Sequence, residues 1–283
     1  MSFALGGGVF FAWPVVGARL LLVPIRKSRP DTLPEGFRSL AVTATDGVVL
    51  DAWFRPARLP HRPIGVVLHG VDDEKGFGLR VAELDADRER NWLLLDLRAH
   101  GRSGGDVCTY GCLERDDVSL AVSAALERGG TFAAPRAAVY GMSLGGAVAL
   151  LAAARDPRIT AVFSQSAFSE LRTSVAEYFE RLAGFRSDFL VGLALRRAEA
   201  ISALRVDEAS PRAAAESLTI PLVIAHGTAD TFVPPHHARR LAEAARHAPR
   251  ELYWIDGAGH LDVWKAGGAE YRERVRAFFE SAP

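Results

Sequence analysis

From residue 64 onward the chain repeats one pattern: a short run of consecutive apolar residues, a turn, and then a longer stretch in which apolar or small residues recur at helical spacing. The apolar runs are 64–68, 92–95, 137–140, 159–163, 222–225 and 251–255. Unbroken runs of this length read as strands buried on both faces, because a strand with one wet face would alternate. The stretches 114–128, 144–154, 236–247 and 269–280 read as amphipathic or small-residue helices. Strand and helix in alternation predict a mostly parallel sheet with helices on both sides, since parallel neighbours need a crossover. Ahead of this region, 39–45 and 48–54 are β-patterned and are separated by Asp46-Gly47, a strong hairpin signal.

Two intervals depart from the pattern. Between 167 and about 210 there is no strand but a helical pattern carrying Leu171, Tyr178, Phe179, Leu182, Phe185, Phe189 and Leu190. This interval is expected to be a helical cap inserted in a domain spanning 29–283, with most of these apolar residues packed on the sheet. The second interval is residues 1–28, where Phe3 to Ile25 is almost wholly apolar apart from Arg19, with Pro14 and Pro24 interrupting it. It is long enough to cross a bilayer. No basic residue precedes it, whereas Arg26, Lys27 and Arg29 follow, the reverse of a secretory signal, so cleavable export is not expected. Three readings stand: a membrane anchor, an interfacial segment, or a helix packed on the domain or on a second copy as a homodimer interface. Arg19 weighs against the anchor, at a cost of about 2.5 kcal/mol or more near the centre of a span. The expected location is cytoplasmic, or membrane-associated through this segment. Pro30 and Pro34 mark a linker to the hairpin.

With 283 residues, one large α/β domain is the simplest reading. Lys plus Arg and Asp plus Glu both total 34, so no net field exists to gather phosphates, which argues against a nucleic-acid protein. The two cysteines, Cys108 and Cys112, are four apart rather than in a C-x-x-C pair, and read as ordinary residues of a mostly polar turn. No disulfide framework is present.

The chemistry sits at strand ends. Gly141-Met142-Ser143-Leu144-Gly145 follows the run 137–140 and opens the helix after it, the context of a nucleophile elbow. The glycines are required because the turn is tight and Ser143 must be held at strained dihedrals. The five-residue pattern is short enough to arise by chance, and its position between strand and helix is what makes it informative. A serine hydroxyl needs a base, and in this chain order His260, in Asp256-Gly257-Ala258-Gly259-His260 after the last strand, fits best. His69 and His226 end strands, His100 lies in a turn, and His61, His236, His237 and His247 sit in polar surroundings. The orienting acid is expected to be Asp230, in His226-Gly227-Thr228-Ala229-Asp230; Asp256 and Asp262 are rivals, too close to His260 in sequence. Backbone N–H groups of Val71 and Leu144 are the expected oxyanion donors. Asp72, Asp73 and Glu74 read as helix-capping acids.

In this order these residues resemble the α/β-hydrolase superfamily over nearly all the chain after about residue 39: His69-Gly70, the 96–103 segment Asp-Leu-Arg-Ala-His-Gly-Arg-Ser, the Ser143 turn, His226-Gly227 with Asp230 and Val233-Pro234, and Gly259-His260. Within it the chain looks like bacterial esterase-like hydrolases with an apolar N-terminal segment, an Asp-Gly hairpin, Thr109-Tyr110-Gly111 and Glu114. The resemblance implies a sheet of about eight strands, no metal or organic cofactor, and hydrolysis of an ester, thioester or amide through an acyl-enzyme. Many members carry small, basic or aromatic residues where this chain has Val71 to Glu74, and acids there would discourage anionic substrates. The expected activity is cleavage of a small uncharged carboxylic ester, a small-molecule substrate. Amide, peptide or thioester cleavage is the alternative, and a noncatalytic membrane-held binding protein is a reading from a different class.

Overall fold

The computed structural model describes residues 3–27 and 32–282, with side chains described from residue 13 onward. Its centre is an eight-stranded sheet in the order β1-β2-β4-β3-β5-β6-β7-β8. The strands are β1 Arg38–Thr43, β2 Val49–Arg55, β3 Arg62–Leu68, β4 Asn91–Leu95, β5 Ala133–Met142, β6 Ile159–Gln165, β7 Leu222–Gly227 and β8 Arg250–Ile255. The hairpin strand β2 is antiparallel to β1 and β4, and every later pairing is parallel. The helices are α1 Phe3–Leu22, α2 Leu79–Ala82, α3 Glu114–Gly129, α4 Leu144–Ala153, α5 Leu171–Ala183, α6 Asp188–Ile201, α7 Pro211–Ser217, α8 His236–Ala244, α9 Val263–Ala266 and α10 Gly268–Ser281.

The apolar runs behave as their lack of alternation requires. Successive residues of one strand enter two different cores: Ile64, Val66 and Leu68 of β3 join α3, α4 and α8, while Val67 joins α2, α9 and α10 on the other side. In β4, Leu93 and Leu95 face the first core, and Trp92 and Leu94 the second. The 96–103 segment ties the hairpin to this frame, since the Arg98 guanidinium donates to both Asp117 oxygens at 2.7 and 2.8 Å and to Asp46 at 2.9 Å.

The linker expected from Pro30 to Pro34 begins among residues outside the described set. Among the described residues no helix is long and apolar enough to cross a membrane, so the anchor reading gains no support. The second half of α1 is instead packed on the domain. Ala18 and Leu22 are buried in the main core, Trp13 Nε1 donates to Leu190 O at 2.9 Å, and Tyr110 Oη donates to Leu21 O at 2.8 Å. A Cβ on Gly17 would lie 2.9 Å from that of Ala194, which shows how closely α1 crosses α6. Val15, Val16, Leu20, Val23 and Ile25 stay exposed.

Three expectations need correction. Cys108 and Cys112 are unpaired but buried, because the turn holding them is folded under α1 and around the buried Glu114 carboxylate, which accepts from Thr109 N, Thr109 Oγ1 and Gly111 N. His237, expected in polar surroundings, is fully buried. Of the seven apolar residues singled out in this interval, Leu171, Phe179 and Leu190 are buried, whereas Tyr178, Leu182, Phe185 and Phe189 are 41–65% exposed. Helices α5 and α6 each bury one stripe, Leu171, Ala176 and Phe179 on α5 and Leu190, Val191, Ala194, Leu195 and Ala198 on α6.

Candidate active site

The turn between β5 and α4 dictates the position of Ser143. A Cβ on Gly141 would stand 2.1 Å from Gly145 O, and one on Gly145 would stand 2.4 Å from Leu68 O and 2.6 Å from His69 O. Only glycine fits either place, and Ser143 between them is held at φ 53°, ψ −113°. Its own amide donates to Gln165 O at 2.7 Å. The Gln165 side chain is fixed in turn: Tyr140 Oη and Tyr271 Oη both donate to its Oε1, the latter at 2.8 Å, and Trp264 Nε1 donates to Tyr140 Oη at 3.0 Å. Ser143 is therefore presented from a backbone that has almost no freedom to relax.

Two other strand-end loops bring partners to it. Ser143 Oγ lies 3.0 Å from His260 Nε2, and His260 Nδ1 lies 2.7 Å from Asp230 Oδ2. Asp230 is buried, and its Oδ1 accepts from Phe232 N and Val233 N, both at 2.9 Å. Burial would raise the Asp230 carboxyl, but hydrogen bonds from His226, His260 and the Val233 backbone, with the electrostatic attraction to His260, outweigh it and hold the group well below the usual carboxylate range. With Asp230 ionised, the imidazole proton belongs on Nδ1, leaving the Nε2 lone pair facing the serine hydroxyl. The rival acids are engaged elsewhere: Asp256 Oδ1 accepts from Thr228 Oγ1 at 3.1 Å, and Asp262 Oδ1 from Gly259 N at 2.6 Å.

The turn after β3 borders the same point, since a Cβ on Gly70 would lie 3.5 Å from Ser143 Cβ. Val71 follows directly, and Leu144 is the first residue of α4, so its N–H has no acceptor within the helix. The helix dipole also favours negative charge at that end. The three acids after Val71 serve different purposes. Glu74 accepts from Gly76 N at 2.8 Å as the expected cap, while Asp72, at φ 58°, accepts from Ile25 N at 2.6 Å, and Asp73 pairs with Lys27 at 3.1 Å. The N-terminal segment thus holds the loop that carries Val71, which nothing local in the sequence announces.

His226 is a partner that sequence reasoning passed over. Its ring is buried, with Nε2 2.8 Å from Val233 O and 3.3 Å from Asp230 Oδ2, so a second imidazole braces the carboxylate. The signal was available in the His226-to-Asp230 spacing after a strand, but strand-end histidines are commonly structural. His69 is such a case: burial pushes it down to about 4, Nε2 accepts from Leu97 N and Nδ1 faces Gly70 O.

Among the described residues one cluster has metal-like composition, Glu177 with His236 and His237. The donor set does not suit a cation. Ser169 N–H donates to His237 Nδ1 at 3.1 Å, which places the imidazole proton on Nε2, and that atom is 2.8 Å from Glu177 Oε2. A cavity of about 200 Å³ lined by Asp51, Trp53, Lys75, Asp96 and Arg102 lies apart from Ser143. Its buried lysine is spent on Asp96 at 2.6 Å and Asp51 at 3.1 Å.

Known proteins share this arrangement of the chain. Residues 109–282 match the prolyl oligopeptidase family. The chain is 29% identical over 230 residues to the Bacillus subtilis protein YqkD, covering 76% of this chain and 70% of that one. It is 28% identical to YfhR of Escherichia coli K12, over 88% and 82% of the two chains. Among solved structures, esterase Pf2001 of Pyrococcus furiosus superposes with a TM-score of 0.75 at 23% identity, over 92% of this chain and 98% of that one. An acylaminoacyl peptidase of Pyrococcus horikoshii gives 0.66 at 17% identity, over 86% of this chain but 40% of its own. At these identities the two structures speak for the fold.

Proposed function

The chain belongs to the prolyl oligopeptidase family within the α/β hydrolases, and from that we propose that it cleaves carboxylic esters through an acyl-enzyme on Ser143, with His260 as base and Asp230 as orienting acid. The observation that carries this reading is the unbroken relay from Ser143 Oγ through His260 to a buried, ionised Asp230. In the first half-reaction His260 Nε2 takes the serine proton as Oγ attacks the ester carbonyl, and the oxyanion forms between the N–H groups of Val71 and Leu144. The imidazolium, stabilised by Asp230, then gives its proton to the departing alcohol. Water repeats the sequence on the acyl-serine and returns the free acid.

The esterase reading is favoured by apolar side chains beside the base, since Leu261 next to His260 is 83% exposed and the Phe232 ring lies 4.8 Å from the imidazole, with Tyr178 against it. Family membership favours amide or peptide cleavage by the same relay as the second reading. Hydrolysis of p-nitrophenyl acyl esters of increasing chain length, set beside aminoacyl p-nitroanilides, separates them. The expected result is ester turnover that drops by several orders of magnitude in Ser143→Ala. Turnover of the anilides alone would replace the ester reading with the peptidase one, and turnover of neither by folded protein would count against both.

A further inference from the structure

We propose that the alcohol portion of the substrate carries an anionic group, a carboxylate or phosphate, and that Arg181 of the cap binds it. The inference rests on the serine-hydrolase reading and adds a substrate class to it.

Arg181 lies near the end of α5 and reaches across to the loop that bears Asp230. Its Nη1 donates to Thr231 O at 2.6 Å. Its guanidinium carbon sits 4.5 Å from the centre of the Phe232 ring and 4.9 Å from that of Tyr178, and these two rings meet edge to face at 5.5 Å. Phe232 in turn lies against the His260 imidazole, with centroids 4.8 Å apart and planes at 34°. A cation is therefore fixed two ring contacts from the base. Among the described residues no carboxylate stands within ion-pair distance of it, and the residue is exposed. A long side chain normally loses rotamer freedom when it binds a ligand, and here the aromatic rings and the carbonyl have already ordered it.

The Val71 turn carries charge of the other sign. Of the acids that follow the Val71 turn, Asp73 is neutralised by Lys27, while Asp72 and Glu74 accept from Ile25 N–H and Gly76 N–H and keep their charge, so an anion is drawn to the Arg181 side rather than to the Val71 side. The chemistry of the relay decides which part of the substrate Arg181 meets. His260 must return its proton to the leaving oxygen, so the alcohol portion departs along the imidazole, the side on which Phe232 and Arg181 stand. A planar guanidinium with free N–H groups suits a carboxylate or phosphate, which it can bind through paired hydrogen bonds.

The test compares acetyl esters of ω-hydroxyalkanoic acids with those of the matching ω-hydroxyamides, over a series of chain lengths, followed by pH-stat titration. The readout is the ratio of kcat/KM for the anionic over the neutral ester, because any effect of losing the Arg181 stack on both rates cancels in the ratio. In the wild type the ratio should exceed one at some chain length and fall with added salt. Arg181→Gln should lower it about tenfold or more, Arg181→Lys should retain part, and Arg181→Glu should bring it below one. Arg186→Glu, a charge reversal at an exposed arginine that pairs with Asp188, should change the ratio much less. Equal ratios in wild type and Arg181→Glu, or an equal effect of Arg186→Glu, would overturn the inference while leaving Ser143-dependent ester cleavage standing. Absence of cleavage of every ester, neutral or anionic, would overturn the underlying reading as well.

Discussion

The turn that holds Ser143 and the helical interval α5–α6 are specified on different scales. The Ser143 turn is enforced by backbone alone, which leaves no room for a Cβ at Gly141, against Gly145 O, or at Gly145, against the carbonyls of Leu68 and His69. The cap is held by pairs far apart in sequence: Trp13 on Leu190, Glu177 on His237, Arg181 on the 231–232 backbone and ring. A backbone steric rule leaves its mark as glycines at fixed spacing and can be read from a sequence, whereas an arrangement built from remote side-chain contacts cannot. The difference teaches where variation is tolerated: the turn accepts almost no substitution, while the cap can exchange side chains and so tune what the same chemistry acts on.

Substitutions that strike the two regions differently sharpen this contrast. The largest effect is expected for Asp230→Asn, which keeps an oxygen for the Phe232 and Val233 amides but reverses the preferred imidazole tautomer. Turnover should fall by about 10⁴-fold with little loss of fold, read from steady-state kinetics alongside urea melts. The sign of the associated pH effect follows from the lowered Asp230 carboxyl: its contribution is complete above the ordinary carboxylate range and is lost only as pH falls through the lowered folded value.

Gly145→Ala comes next. The new methyl would overlap two carbonyl oxygens of the β3 end, so the helix or the strand must shift, at about 3–5 kcal/mol in urea unfolding. An alanine there that folds with unchanged stability would break the claim that backbone contact fixes the turn. The smallest effect is expected for Asp72→Ala, which releases the Val71 loop from Ile25 N–H. A drop of about tenfold in kcat, with KM changing less, would show that α1 and its exit strap serve the oxyanion turn; an unchanged kcat would make that contact merely a tether.

The alternation of apolar runs and helical stretches gave away the parallel sheet because two-sided burial leaves a distinct mark, and each predicted strand lies within or overlaps an observed one. Ser143, His260 and Asp230, which the structure brings within hydrogen-bond distance of one another, each occupy a strand-end loop with glycine close by, and that placement is legible in the sequence. What escaped notice depends on contacts that no local pattern encodes. His226 looks like any buried strand-end histidine until its distance to Asp230 is known, and Phe185 and Phe189 look like core residues because periodicity cannot tell a covered helix face from an uncovered one. The role of residues 25–27 in holding Asp72 and Asp73 joins segments nearly fifty positions apart, beyond the reach of any window.

The most direct test of the central claim is reaction of the folded protein with a fluorophosphonate, followed by mass mapping of the modified peptide. One adduct per chain on Ser143, formed far more slowly in His260→Ala and absent in Ser143→Ala, is the expected result. A folded wild-type chain that takes up no probe, or takes it up at another residue, would contradict it.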